Sequence, residues 1–228
     1  MSIFQQIVAI DFVEQFERGA QSYLAAKKEY YANHANRALE CIKGALDRSP
    51  RSARLLDVGC GGGDDFHSYL EMGFCNLFGV DPSKSMVLAA SKALPAIKIS
   101  DGKWEQLNFP DADIDIVVGN FSMQYCENID RGIDEAVRVL KRGGYFVVAV
   151  SHPTFDGVHG QHYSGKNSLV TANLYNGKFS VKYPGHSLSE YLSENFFRNF
   201  RLVKLTEFFS AANSRAVPSG LCVVGTKE

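Results

Sequence analysis

The chain has 228 residues, enough for one sizeable α/β domain with a small appendage. Its 24 Lys and Arg nearly balance its 25 Asp and Glu, and the formal net charge of -1 leaves no footprint for nucleic acid or an anionic membrane, so neither is expected as a partner. The five cysteines, Cys41, Cys60, Cys75, Cys126 and Cys222, are scattered without a C-x-x-C, which argues against a disulfide framework and a zinc site and fits free thiols in a reducing cytoplasm.

The N-terminal MSIFQQIVAIDFVEQF has an apolar run interrupted by Asp11 and Glu14 and lacks a basic start, so it does not read as a signal peptide. No stretch reaches membrane-spanning length. Residues 10–47 read as helix, with Ile10, Val13 and Phe16 on one face and Leu39, Ile42 and Leu46 on another. Asn33–Asn36 marks a break between two helices, and Pro50 ends the region.

Short apolar strands then alternate with helices. Strands are expected at Arg54–Val58, Asn76–Val80, Ile97–Ile99, Ile114–Gly119 and Tyr145–Val150. Helices are expected at Asp64–Met72, Ser83–Leu94 and Ile129–Leu140, the last stopped by Gly143-Gly144. This alternation implies a parallel sheet covered by helices on both faces. Ser151–Pro184 is rich in Gly, Asn, Ser, His and Tyr and reads as an insertion containing strand-like pieces such as Lys178–Tyr183. A helix over Leu188–Phe197 and strands at Leu202–Phe209 and Leu221–Gly225 complete the chain. One domain is expected: a helical cap (1–50), a cofactor-binding core (51–151), an insertion (152–187) and the C-terminal part of the sheet (188–228).

The chemistry concentrates where the first strand ends. Asp57-Val58-Gly59-Cys60-Gly61-Gly62-Gly63-Asp64 runs from a buried strand through a glycine-rich turn into a helix. Glycines there let a ligand approach the backbone. Asp81 ends the second strand, where a carboxylate can accept two hydrogen bonds from a ribose diol; capping the next helix is its ordinary structural role, and the two can coexist. A dinucleotide fingerprint needs G-x-G-x-x-G. Counted from Gly59 the last position is Asp64, and from Gly61 it is Phe66, so a nicotinamide-dependent oxidoreductase is the weaker alternative. Asp57 would also face a pyrophosphate with like charge, whereas beside a cationic ligand it is favourable.

Asp57-x-Gly59-x-Gly61-x-Gly63 resembles the first motif of class I S-adenosylmethionine-dependent methyltransferases. Asp81-Pro82-Ser83 with Met86, Leu107–Asp111 before Ile114–Val118, and Val137–Gly144 before Tyr145–Val150 extend the resemblance across about residues 50–151. It implies a Rossmann-like sheet of seven strands, mostly parallel with the last antiparallel, helices on both faces and an N-terminal helical cap. It further implies that S-adenosyl-L-methionine is bound and S-adenosyl-L-homocysteine released. Asp57 and Gly59 would hold the methionine end, Cys60, Gly61 and Gly63 would be further cofactor-binding residues, and Asp81 would bind the ribose. Pro82 and Met86 would line the adenine, and Asn120 and Phe121 would lie beside the sulfonium. Lys103 and Trp104 stand where the family usually has an acidic and a small residue beside adenine. Lysine cannot accept the adenine amino hydrogen bond, so the Trp104 backbone or Asp101 is the expected substitute.

Gly119-Asn120-Phe121-Ser122-Met123-Gln124-Tyr125 lacks the prolines of base-amine methylases, and no Pro-Cys nucleophile is present. With the balanced charge, this favours a small-molecule acceptor methylated on oxygen or nitrogen over a protein or RNA. A non-catalytic S-adenosylmethionine-binding protein is a further alternative, hinted at by Lys103 and Phe121–Tyr125. Acceptor contacts are expected from segments overhanging the sheet's carboxyl edge: Tyr23 within Phe16–Tyr31, Gln124 and Tyr125, and His152, His162 and Tyr163 of the insertion. His152, directly after the fifth strand, is the candidate base or acceptor-orienting residue. His159-x-x-His162 lacks a completing carboxylate or cysteine, so no metal is expected. A monomer or homodimer suffices for such a site.

Overall fold

The computed structural model describes residues 11–155, 168–209 and 217–228. Two N-terminal helices, α1 (Phe12–Asn33) and α2 (Arg37–Leu46), start at Asp11 and Asn36, whose side chains accept from the backbone N–H of Glu14 and Leu39. They break at His34–Asn36, as the asparagines predict. Next come β1 (Arg54–Val58), α3 (Asp65–Glu71), β2 (Asn76–Asp81), α4 (Lys84–Ala93), β3 (Lys98–Asp101), β4 (Ile114–Asn120), a short 3-10 turn at Met123–Tyr125, α5 (Ile129–Val139) and β5 (Leu140–Ser151). The remainder is β6 (Ser168–Leu174), β7 (Phe179–Gly185), α6 (Leu188–Tyr191), α7 (Glu194–Asn199), β8 (Phe200–Phe208) and β9 (Gly220–Lys227).

Seven strands form one sheet in the order β3-β2-β1-β4-β5-β9-β8. β1 to β5 pair in parallel, and β9 runs antiparallel to both its neighbours. The central strands alternate between two cores. Leu56, Val117 and Val148 face α5 and α7, while Leu55, Ile116, Val118 and Val147 face α2 and α3. The N-terminal helices therefore divide: α2 buries Ala38, Ile42 and Leu46 in the second core, and only α1 overhangs the carboxyl edge. The strand order reverses between β1 and β4, which opens a crevice at that edge.

Three boundaries differ from the sequence reading. The fifth helix ends at Val139, one residue before the expected Leu140, and β5 starts at Leu140, which is extended and pairs with Ile114, rather than at Tyr145. The Leu188–Phe197 helix splits at Leu192, and Ser193 caps the second piece by accepting from the Phe196 N–H. The insertion contributes an antiparallel hairpin, β6–β7, whose Val170, Phe179, Val181 and Tyr183 pack on Phe16 and Tyr23 of α1 and on Tyr125.

Candidate functional site

The glycine turn after β1 is held by its neighbour strand. The N–H groups of Gly59 and Cys60 both donate to the Val80 carbonyl at 2.8 and 3.0 Å. Gly61 has φ +55, and a Cβ there would meet nothing, so its backbone opens onto free space. Gly62 has a different reason: a Cβ would lie 2.4 Å from a Leu24 methyl, so this glycine admits the close approach of α1.

Asp81, at the end of β2, is almost fully buried. Its carboxylate accepts from the Gly61 N–H and the Ser83 N–H, both at 2.9 Å. Burial pushes its pKa up to about 6, against the opposing pull of these two hydrogen bonds. Ser83 then caps α4 and donates to Glu17 of α1 at 2.7 Å. Glu17 also accepts from the N–H (3.0 Å) and hydroxyl (2.8 Å) of Ser85, and these bonds hold its carboxyl below the usual range. One carboxylate thus clamps α1 to the turn that carries Asp81.

At the other end of the turn, Lys27 of α1 lies 3.2 Å from Asp64 and 4.0 Å from Asp65. Burial alone would lower the Lys27 pKa, but the carboxylates of Asp65 and Asp64 raise it, so the ammonium stays charged. Asn120, ending β4, donates through Nδ2 to Asp65 at 2.7 Å. Its Oδ1 is buried and has no hydrogen-bond partner among the described residues.

The floor is built by Trp104 and Ser122. Trp104 Nε1 donates to Ser122 Oγ (3.1 Å), which donates to the Val58 carbonyl (2.5 Å). The loop carrying Trp104 is fixed by Arg138, which donates to the carbonyls of Leu107 and Phe109, both at 2.7 Å, while Glu135 accepts the Leu107 N–H. The roof is aromatic: Phe12 and Phe16 contact Tyr125 at ring separations of 5.7 and 5.2 Å, and Phe16 meets Tyr23 edge-on at 5.1 Å. Floor, turn and roof enclose a cleft of about 770 Å³, including its open mouth.

The comparisons agree with this architecture. Residues 56–148 match the family described as methyltransferase domain. This core is therefore similar to a methyltransferase domain. Among curated proteins, the malonyl-[acyl-carrier protein] O-methyltransferase of Pectobacterium atrosepticum is 30% identical over 46% of this chain and 41% of its own. The demethylmenaquinone methyltransferase of Chlorobaculum parvum is 33% identical over 41% of this chain and 39% of its own. The matches thus span about half or less of the length of the curated relatives. A crystal structure of an S-adenosylmethionine-dependent methyltransferase from Mesorhizobium loti shares the fold: TM-score 0.63, 19% identity, 81% of this chain and 96% of that one.

Within this core, Gly59, Cys60, Gly61, Asp81, Pro82, Met86, Lys103, Trp104, Asn120 and Phe121 line the cleft, joined by Tyr23 and Tyr125. Four of the sequence candidates do not. Asp57 is buried beneath the turn, where Tyr69 donates to it at 3.4 Å and burial, with the nearby Asp65 charge, raises its pKa well above the carboxylate range. Gly63 turns its Cα toward Leu94 and Ala90, behind the turn. Gln124 accepts the Ser151 N–H (2.9 Å) and donates to its hydroxyl (3.2 Å), so it splints β5 to the 3-10 turn. His152 is buried outside the cleft, with Nδ1 at 2.6 Å from Thr154 Oγ1 and Nε2 at 3.1 Å from Glu207, which corrects the expectation of a base facing the acceptor. His162 and Tyr163 lie outside the described residues. Lys27, Asp65 and Glu17 were not singled out from the sequence. The stripe Phe16, Tyr23, Lys27, at helical spacing, is the signal that would have found the first.

Proposed function

We propose that the chain is an S-adenosylmethionine-dependent methyltransferase acting on an oxygen or nitrogen of a small molecule. The observation that carries this reading is Asn120 Oδ1, a buried acceptor without a partner among the described residues, beside Asp65 and across the cleft from Asp81. A buried acceptor of this kind costs about 1–3 kcal/mol unless a donor meets it. An ammonium is such a donor, and the carboxylate of Asp65 suits its charge. Asp81 retains lone pairs for two ribose hydroxyls, and Pro82 and Met86 would flank the adenine. Gly61 offers backbone that a ligand can touch. The residues therefore fit S-adenosylmethionine at both ends. A pyrophosphate in the same place would meet Asp65 and Asp81 with like charge.

When bound, the cofactor supplies an electrophilic methyl on a good leaving group. What remains to the protein is alignment and exclusion of water. The turn and Asn120 fix the methyl donor, α1 and Tyr125 shield it, and Tyr23 and Tyr125 face the acceptor. With His152 outside the cleft, a proton lost by the acceptor passes to water at the mouth. S-adenosylhomocysteine is expected to raise the melting temperature in a concentration-dependent way, by RT ln(1 + [L]/Kd) in free energy. A larger shift with NAD or NADH would favour the oxidoreductase reading instead.

A further inference from the structure

The part of the cleft not claimed by the cofactor has its own chemistry. Phe12, Phe16 and Tyr23 of α1 and Tyr125 of the 3-10 turn all border it. These rings are braced from behind by the β6–β7 hairpin. Phe179 stacks on Phe16 at 5.6 Å and meets Tyr23 edge-on at 5.2 Å, while Tyr183 meets Tyr125 edge-on at 5.0 Å. The Tyr23 hydroxyl receives one from Tyr175 at 3.1 Å, which fixes that side chain too. The rings are therefore set in place without a ligand, and a flat partner would meet faces and edges at low ordering cost.

The charges sharpen the class. Among the described lining residues there is no arginine. Lys27 is already committed to Asp64 and Asp65, and Lys103 shares the rim with Glu105. Among the described residues, Lys103 is a lining cation without an ion pair, and no guanidinium fork lines the cleft. Building on the proposed function, we infer that the acceptor is a flat ring compound carrying a hydroxyl or amine, gripped by Phe16 and Tyr125. An acyl thioester, the kind of substrate named for the curated malonyl relative, has no ring to meet this wall.

Trp104 is the single tryptophan and lies in the cleft floor, so its fluorescence reports ligand entry. The full chain, saturated with S-adenosylhomocysteine, would be titrated with 4-aminophenol, resorcinol, indole, 1-octanol and malonyl-N-acetylcysteamine. Saturable quenching by at least one ring compound, with the other two probes about tenfold weaker or silent, is the expected result. Phe16→Ala and Tyr125→Ala should each weaken ring binding by about tenfold, a larger loss than in S-adenosylhomocysteine affinity; Phe16→Tyr should restore it. Cofactor binding together with preferential binding of the malonyl thioester or octanol, or of none of the probes, overturns the acceptor class. Failure of S-adenosylhomocysteine itself to bind overturns the proposed function instead.

Discussion

At the scale of single residues, Asp81 is the most exacting member of the site. Its carboxylate is buried, ties Gly61 to Ser83 and keeps lone pairs toward the cleft. Replacing it with alanine should weaken S-adenosylhomocysteine binding by about 1.5–3 kcal/mol, and unchanged affinity in a calorimetric titration would remove its ribose role. Its pKa of about 6 adds a pH signature. The folded value lies above that of an unfolded aspartate, so the empty protein binds the extra proton between about pH 4 and 6 and loses this contribution to stability as pH rises through that window. Ribose hydroxyls donate to the ionised form. Binding should therefore release a proton and tighten from about pH 5 to pH 7; a flat affinity across that range would contradict the assignment. His152→Gln has the opposite expectation: a loss of about 1 kcal/mol of stability from the tie to Glu207, with cofactor affinity unchanged. Denaturant melts and titrations on the same variant separate the two. Asp81 was legible because a carboxylate ending a strand after a glycine turn has few other uses. Lys27, Asp65 and Glu17 were not, because their partners exist only once α1 folds back over the turn. His152 misled because position after β5 says where a backbone goes and not which way a side chain faces.

At the scale of elements, α1 joins the two halves of the site. Its Glu17 clamps the Asp81 turn, its Lys27 reaches the start of α3, and its Phe12, Phe16 and Tyr23 form the roof between them. Glu17→Ala should therefore speed amide hydrogen exchange along α1 and lower cofactor affinity, while exchange in β1, β4 and β5 stays slow. Equal protection of α1 in the variant would show that the clamp does not hold the helix. The parallel strands were readable from apolar runs bounded by turn residues. The start of β5 was not: Leu140 to Gly144 look like the end of a helix, and only pairing of Leu140 with Ile114 draws them into the sheet. The hairpin was visible only as strand-like fragments, since its apolar face has no partner until α1 supplies Phe16 and Tyr23.

At the scale of the whole molecule, strand and helix alternation dictated the sheet, and the reversal of strand order between β1 and β4 placed the crevice. The family match is confined to that common part, residues 56–148. Most of the roof comes from outside it, from α1 braced by β6–β7, which is why the cofactor class was legible in the motifs and the acceptor was not. No helix among the described residues is long and apolar enough to cross a membrane. The measurement closest to the central claim is isothermal titration of the full chain with S-adenosylhomocysteine and, separately, with NAD. Saturable heat at one site per chain with the former and none with the latter is predicted. Heat with NAD alone, or with neither, would contradict it.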